Sequence, residues 1–485
     1  MVSLIPAAGT PDEFPIAVGQ RVQVDNSVAF IGDEVLTGGH PWRLLRLNPG
    51  AIRALREWRD GGAVTPENQR LARSLRQQGI IRLIECEPFS LRQVSVVIPV
   101  FNDLEGLSLL LPQLRGVTTL VLDDCSPRAN ELQALVASHG ATYHRLPTNQ
   151  GPAAARNIGA SMTDTPYVWF LDSDVTAPHL RHDWDQVSGE FRDPLVAAVA
   201  PRVMGAPSHG LLGSYETRHG ALDLGPNPAL VVPRGSVAYV PTASLIVRRD
   251  AFGEGFDTAL RTGEDVDFIW RLNAKGWLVS YRPDVVHHHR PRHDGRKWLR
   301  QRHGYGRSAA QLAERHPQAL SPLRVDAWTL ASWVSLILRR PQWTASTLAI
   351  AIEGLKEKLP DSLSDRETVA QQVVTKGIAQ AGGPLAAALV RTYSPLLLLG
   401  LASKRTRRTA ALLLVAGTIW KVRSSKHHLL IDAPVALADD LAYASGVWRG
   451  AAEFRSWRAV KPTITFATGG LQALRRKNEA PSTQP

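Results

Sequence analysis

The chain has 485 residues, 44% hydrophobic and 21% charged, which excludes both a single small core and a disordered polymer and predicts two to four domains of about 150 residues each. Its 56 Lys and Arg against 44 Asp and Glu leave a formal charge of +12, suited to phosphorylated ligands or an anionic membrane face, while the lack of interleaved aromatic and basic residues or zinc-ligand spacing argues against nucleic acid. Two cysteines, Cys86 and Cys125, exclude a disulfide framework and point to a reducing compartment.

In chain order, the start has no basic residues followed by an apolar run, so no signal peptide is expected, and residues 1–15 read as a tail. Residues 16–88 read as a small unit. Alternating strands are predicted at 21–24, 28–31 and 42–47, then a helix from Asn48-Pro49 to about Trp58. Asp60-Gly61-Gly62 breaks it, a second helix ends at Gly79, and a strand returns at 80–84. Residues 92–300 alternate strands and helices, with buried strands at 94–100, 120–122 and 167–171. That pattern predicts an α/β domain with a mostly parallel sheet covered on both faces. Ligands of such sheets sit at the carboxyl ends of the strands, where this chain carries Asn102-Asp103, Asp123-Asp124 and Asp172-Ser173-Asp174. Residues 301–485 read as helical and rich in Ala and Leu, ending in a disordered tail at 477–485.

Asp172-Ser173-Asp174 puts two carboxylates on one strand-end turn, where both can face a hard cation such as Mg²⁺ or Mn²⁺. Asp123-Asp124 can accept hydrogen bonds from a ligand or cap a helix. In Gly151-Pro152-Ala153-Ala154-Ala155-Arg156-Asn157 the arginine sits at a positive helix end, which calls for an anionic or carbonyl partner in the ligand or the protein. Glu264, Asp265 and Asp267 crowd one helix start. Such crowding raises pKa values and suits acid–base chemistry, although acidic residues also belong there for the helix dipole. His287-His288-His289 can complete a metal site begun by carboxylates, or form a surface loop. The basic run from Arg290 to Arg307 can meet a leaving diphosphate or an anionic surface.

Five ordered stretches, at 94–103, 121–126, 151–157, 171–174 and 263–265, resemble family 2 glycosyltransferases. The resemblance implies a GT-A nucleotide-sugar-binding domain at 92–320 and a UDP-sugar donor. It implies that Pro99, Asn102, Asp124 and Arg156 contact the nucleoside and that Asp172 meets the ribose and metal region. Asp174 would bind Mg²⁺ or Mn²⁺, with His287 as a further contact and His289 second. Asp265, with Glu264 beside it, would deprotonate the acceptor in an inverting transfer. Processive synthases carry Gln-x-x-Arg-Trp, whereas this chain reads Gln301-Arg302-His303-Gly304-Tyr305, so a polymerase with a membrane channel is not expected.

Stretches such as 200–203, 222–225, 239–243 and 439–443 are similar to the glycosyltransferases of the mycofactocin system. That likeness implies glucosylation of a peptide-derived redox cofactor. Residues 16–88 resemble winged-helix modules that hold precursor peptides, and an exposed strand edge there could take a peptide. In the helical region at 321–476, apolar stretches at 385–402 and 410–420 flank Lys404-Arg405-Thr406-Arg407-Arg408. Each is short for a full span, so an in-plane or re-entrant anchor on the cytoplasmic side of an anionic membrane is expected, against a buried helical hairpin.

Overall fold

The architecture is that of a computed structural model, which describes residues 14–31, 34–359, 363 and 365–465. Residues 1–13 of the first expected tail and all of 477–485 lie outside the described residues.

The N-terminal unit folds around Leu36, Leu55, Trp58 and Leu75. Strands Ala29–Ile31, Val35–Gly38 and Arg43–Arg46 form an antiparallel sheet, and Val22–Val24 pairs with Ile81–Leu83. The central strand Val35–Gly38 was not anticipated. It is buried along its whole length, so it lacks the polar alternation that marks a half-exposed strand. Asn48 caps helix Pro49–Arg59 as expected, its side chain accepting from the Ala51 N–H. Helix Gln69–Gln77 faces the next domain. There Arg73 donates to Asp193 at 3.0 Å, and Arg76 donates to Glu190 at 2.9 Å and Ser280 at 3.1 Å, with all four charged groups buried. Breaking one member of such a buried pair costs about 3–5 kcal/mol, so this face behaves as core rather than as a hinge.

The α/β domain is built on a sheet whose strands run Val175–Thr176, Leu278–His289, Val196–Gly205, Ser244–Arg248, Tyr167–Leu171, Val94–Val100, Thr118–Asp123 and Thr142–Arg145. The sheet is mixed rather than mostly parallel. Ser244–Arg248 runs antiparallel to both of its neighbours and divides a parallel half, which carries all three expected acidic strand ends, from the rest. Alternation along the strands supplies two cores. Val94, Val96, Ile98, Trp169 and Leu171 pack on one face, and Val97, Val168 and Phe170 on the other.

The C-terminal region is helical, as expected. Helix Gly295–Arg315 leaves the α/β domain and packs along Leu429–Glu453 with almost nothing between the backbones. A Cβ added at Gly306 would land on the Tyr443 carbonyl, and one at Gly446 on the His303 carbonyl. Helices Arg366–Ala402 and Arg407–Val422 lie beside them. The first is 37 residues long, exceeds the 18-residue apolar stretch expected there, and is long and apolar enough to cross a membrane by length and composition alone. Much of the apolar surface of this region faces outward, with Leu399 72%, Leu412 68% and Leu430 90% exposed.

Candidate active site

At the carboxyl ends of the parallel strands lies a cleft of about 770 Å³. Pro99, Asp124, Arg156, Asp172, Asp174, Glu264 and Asp265 all line it, although they are spread over more than 160 positions of sequence. The strand ends turn sharply, and the non-glycine residues Asn102 and Cys125 take positive φ values of 53° and 65°. Asn102 is exposed and outside the cleft. Its N–H donates to Ser126 Oγ at 2.8 Å, which makes it a turn former.

The acidic turn is braced from behind. Ser173 Oγ donates to Asp103, which also accepts from Arg290 at 2.6 Å and caps the helix starting at Leu104. The bracing leaves Asp172 and Asp174 on the cleft side. Arg156 donates from one nitrogen to Asp172 at 2.7 Å and from another to Glu264 at 3.0 Å. Its guanidinium is buried, and its charge is strengthened because these carboxylates outweigh the cost of burial. Of the two readings open for Arg156, the protein itself supplies the anions. Glu264 consequently holds Arg156 while lining the cleft beside Asp265. Asp124 accepts the N–H groups of Gln150 and Gly151 at 2.7 and 2.8 Å. It pins the loop that opens helix Pro152–Ser161 while presenting its edge to the cleft.

Asp265 stands on the first turn of helix Glu264–Ala274 and accepts the Val266 N–H at 2.8 Å. Burial, then the neighbouring Glu264 charge, pushes its carboxyl up to about 7, beyond what the Val266 hydrogen bond and Arg156 can offset. A carboxylate in that range is a proton acceptor matched to neutral pH.

The histidine expectation is corrected. Pairing with both Val175–Thr176 and Val196–Gly205 carries strand Leu278–His289 to its last histidine, so His287 lies inside the sheet. His287 is fully buried, stacked on Trp169 at 5.7 Å between ring centroids, with its ring nitrogens 3.0 Å from Ser244 Oγ and 3.2 Å from Asp183. His289 reaches the cleft instead, its Nε2 lying 3.0 Å from Asp174. Metal–ligand bonds of about 2.1 Å in an octahedral shell set adjacent ligand atoms roughly 3 Å apart, so this oxygen–nitrogen pair fits two neighbouring corners of one shell. Among the described residues no group of three or more His, Cys, Asp or Glu is placed to hold a metal ion.

Three members of the basic run are paired inside the protein. Arg290 meets Asp103 and Glu105, Arg302 meets Glu216 and Asp439, and Arg307 meets Glu453. Arg261 and Arg292 line the cleft and form no ion pair or hydrogen bond among the described residues. Arg261 precedes the acidic helix start by three residues, but an isolated arginine in a loop carries no sequence signal. The cleft also takes Tyr239 and, from the C-terminal helices, Arg391, Lys421 and Tyr443.

The signature of Glycosyl transferase family 2 matches residues 95–252. The pre-mycofactocin glycosyltransferase of Mycobacterium tuberculosis is 36% identical over 468 residues, covering 92% of this chain and 98% of that protein. The succinoglycan biosynthesis protein ExoU of Rhizobium meliloti is 25% identical over 181 residues, covering 34% of this chain and 51% of that one. Among solved structures, the mannosyltransferase PcManGT of Pyrobaculum calidifontis in complex with GDP-Man and Mn²⁺ aligns with a TM-score of 0.37 at 16% identity, over 70% of this chain and 89% of that one. S. aureus TarS 1-349 in complex with UDP-GlcNAc aligns at 0.35 and 15%, over 74% and 91%.

Proposed function

The chain belongs to the family 2 glycosyltransferases and carries their GT-A fold, and from that premise we propose an inverting hexosyl transfer from a UDP-sugar, glucose first, to a peptide-derived acceptor in mycofactocin biosynthesis. The name of the mycobacterial relative supports the pathway, and one geometric observation carries the chemistry. Asp265, held near neutral pH, faces the same cleft as Asp172 and the Asp174–His289 pair.

A sugar or phenol hydroxyl is a weak nucleophile at neutral pH, and Asp265 removes its proton as it attacks the anomeric carbon. Arg156 and Glu264 hold the donor-side carboxylate Asp172 in place, and Asp124 and Pro99 shape the nucleoside end. Asp174 and His289 would hold Mg²⁺ or Mn²⁺, which when bound neutralises charge on the departing diphosphate. One base and one displacement invert the anomeric centre, with no carboxylate needed as a nucleophile.

The proposed place of action is the cytoplasmic face of the membrane. Exposed Leu399, Leu412 and Leu430 would enter the bilayer boundary, and Lys404, Arg405, Arg407 and Arg408 would meet anionic headgroups. The N-terminal unit keeps its winged-helix-like, peptide-holding reading as a proposal. Its edge strand Arg43–Arg46 pairs on one side only among the described residues, leaving an edge to which an extended acceptor could add.

The test is a panel of nucleotide sugars with and without EDTA, read by nucleotide release. UDP release from UDP-glucose that EDTA abolishes is expected, and silence with every uridine sugar in the presence of Mn²⁺ and acceptor overturns the reading.

A further inference from the structure

The cleft extends beyond the strand ends, and its far wall is built by a different part of the chain. Tyr239 comes from the α/β domain and Tyr305 from helix Gly295–Arg315, while Arg391 and Tyr443 come from helices more than 80 residues further on. The Gly306 and Gly446 contacts leave no room for slip between Gly295–Arg315 and Leu429–Glu453, so Tyr305 and Tyr443 are fixed relative to each other. The Arg391 guanidinium lies 3.8 Å above the centre of the Tyr443 ring and donates to Asp440 at 3.2 Å. Lys421 donates to Asp439 and Asp440 at 3.0 and 2.7 Å, so the acidic pair of this wall is already neutralised.

Tyr239 lines the same cleft as Asp265, Arg302, Arg391 and Tyr443, whose charges act on its hydroxyl. Burial, then Asp265, pushes it up to about 12, so it remains a neutral donor at working pH. Neither Tyr239 nor Tyr443 donates its hydroxyl to a partner among the described residues, and both line the cleft. Aromatic faces, free phenol donors and cations paired with Asp439 and Asp440 form a wall for a flat ring that carries hydroxyl groups.

We propose that Tyr239, Tyr443 and Arg391 form the acceptor subsite. The C-terminal helices thereby select an acceptor whose reactive hydroxyl is carried by a ring with a flat apolar face. This rests on the transferase reading above. A sugar ring and an aromatic ring share that chemistry, so two probes separate them: methyl β-glucoside, which has no aromatic ring, and N-acetyltyrosinamide with its phenol.

The experiment uses the full chain. Saturation-transfer NMR with each probe reads the subsite without any donor, and steady-state transfer from UDP-glucose gives the acceptor KM. Tyr443→Ala and Arg391→Met are expected to weaken the preferred probe at least tenfold while UDP affinity by calorimetry stays within twofold. Tyr443→Phe keeps the ring face and should recover most of the acceptor affinity, and Arg391→Lys serves if Arg391→Met does not fold. Probe binding that is unchanged in both variants, or UDP affinity that falls in parallel, overturns the proposal. Loss of probe binding in Tyr443→Ala, in a protein that releases no UDP from any sugar, would uphold the subsite and defeat only the transferase reading.

Discussion

The α/β domain and the C-terminal helices treat the same residue types in opposite ways. In the sheet, Val96, Val97, Ile98, Trp169 and Phe170 are wholly removed from water, each strand serving two cores by alternation. In the helices, Leu399, Leu412 and Leu430 point away from the chain, and the tightest contacts run through glycine rather than through large side chains. A closed core needs nothing outside the protein. In the helices an array of exposed leucines stands beside four basic residues, the pattern on which the proposed membrane contact rests. The proposed chemistry follows the same division: the domain with the closed core carries Asp265, Asp174 and His289, and the outward-facing helices line the remaining wall of the cleft.

The sharpest way to break this division is at the base. Asp265→Asn should lower kcat by about 10²–10⁴-fold with donor affinity unchanged, measured by transfer kinetics and UDP binding. The same substitution should raise stability at pH 8. A carboxyl whose folded pKa is raised contributes stability in full at low pH and loses it as pH climbs from about 4 through about 7, a loss of up to about 4 kcal/mol that asparagine avoids. Unaltered turnover in Asp265→Asn would remove the assignment.

At the joint between the regions, Gly306→Val should cost about 1–3 kcal/mol through overpacking and weaken acceptor binding more than UDP binding. A wild-type melting curve would show that the two helices are not locked. His289→Ala is expected to lower Mn²⁺ affinity by about tenfold or more, and His287→Ala to lower stability with little effect on metal affinity. Titration of the two variants alongside a melting curve decides between them. With wild-type protein, kcat/KM should rise with pH and level off above about 7, because only the ionised Asp265 accepts the proton. The smallest effect belongs to the outer face. Leu399→Ser with Leu412→Ser should move stability by no more than about 0.5 kcal/mol yet reduce co-sedimentation with anionic vesicles, and equal sedimentation would dissociate that face from the membrane.

Much of the catalytic half was legible in the sequence. An apolar strand that ends in an acidic turn advertises its position, and Asp124, Asp172 and Asp174 arrive at the cleft for that reason. Asp265 was legible as an acidic helix start. The histidines were not: the sequence left a metal site and a surface loop both open at 287–289, while in the structure pairing on both sides carries a strand to His289 and buries His287. Position along the strand decided the matter, and residue type could not. Glu264 was read beside Asp265 as an acid–base group and Arg156 as a ligand or internal partner, and in the structure the two are paired. Tyr443 lay in a stretch already noticed at 439–443. What placed it in the cleft is the packing of two helices more than a hundred residues apart, and helical periodicity alone does not reveal which face will meet a distant strand end.

The contact between backbones has a genetic consequence. Any single-base change in a glycine codon that alters the amino acid introduces a Cβ, and at positions 306, 446 and 450 that carbon would strike a carbonyl oxygen on the opposite helix. Missense variants there should accordingly be rare in natural populations, whereas the outward leucines can drift among apolar types at little cost.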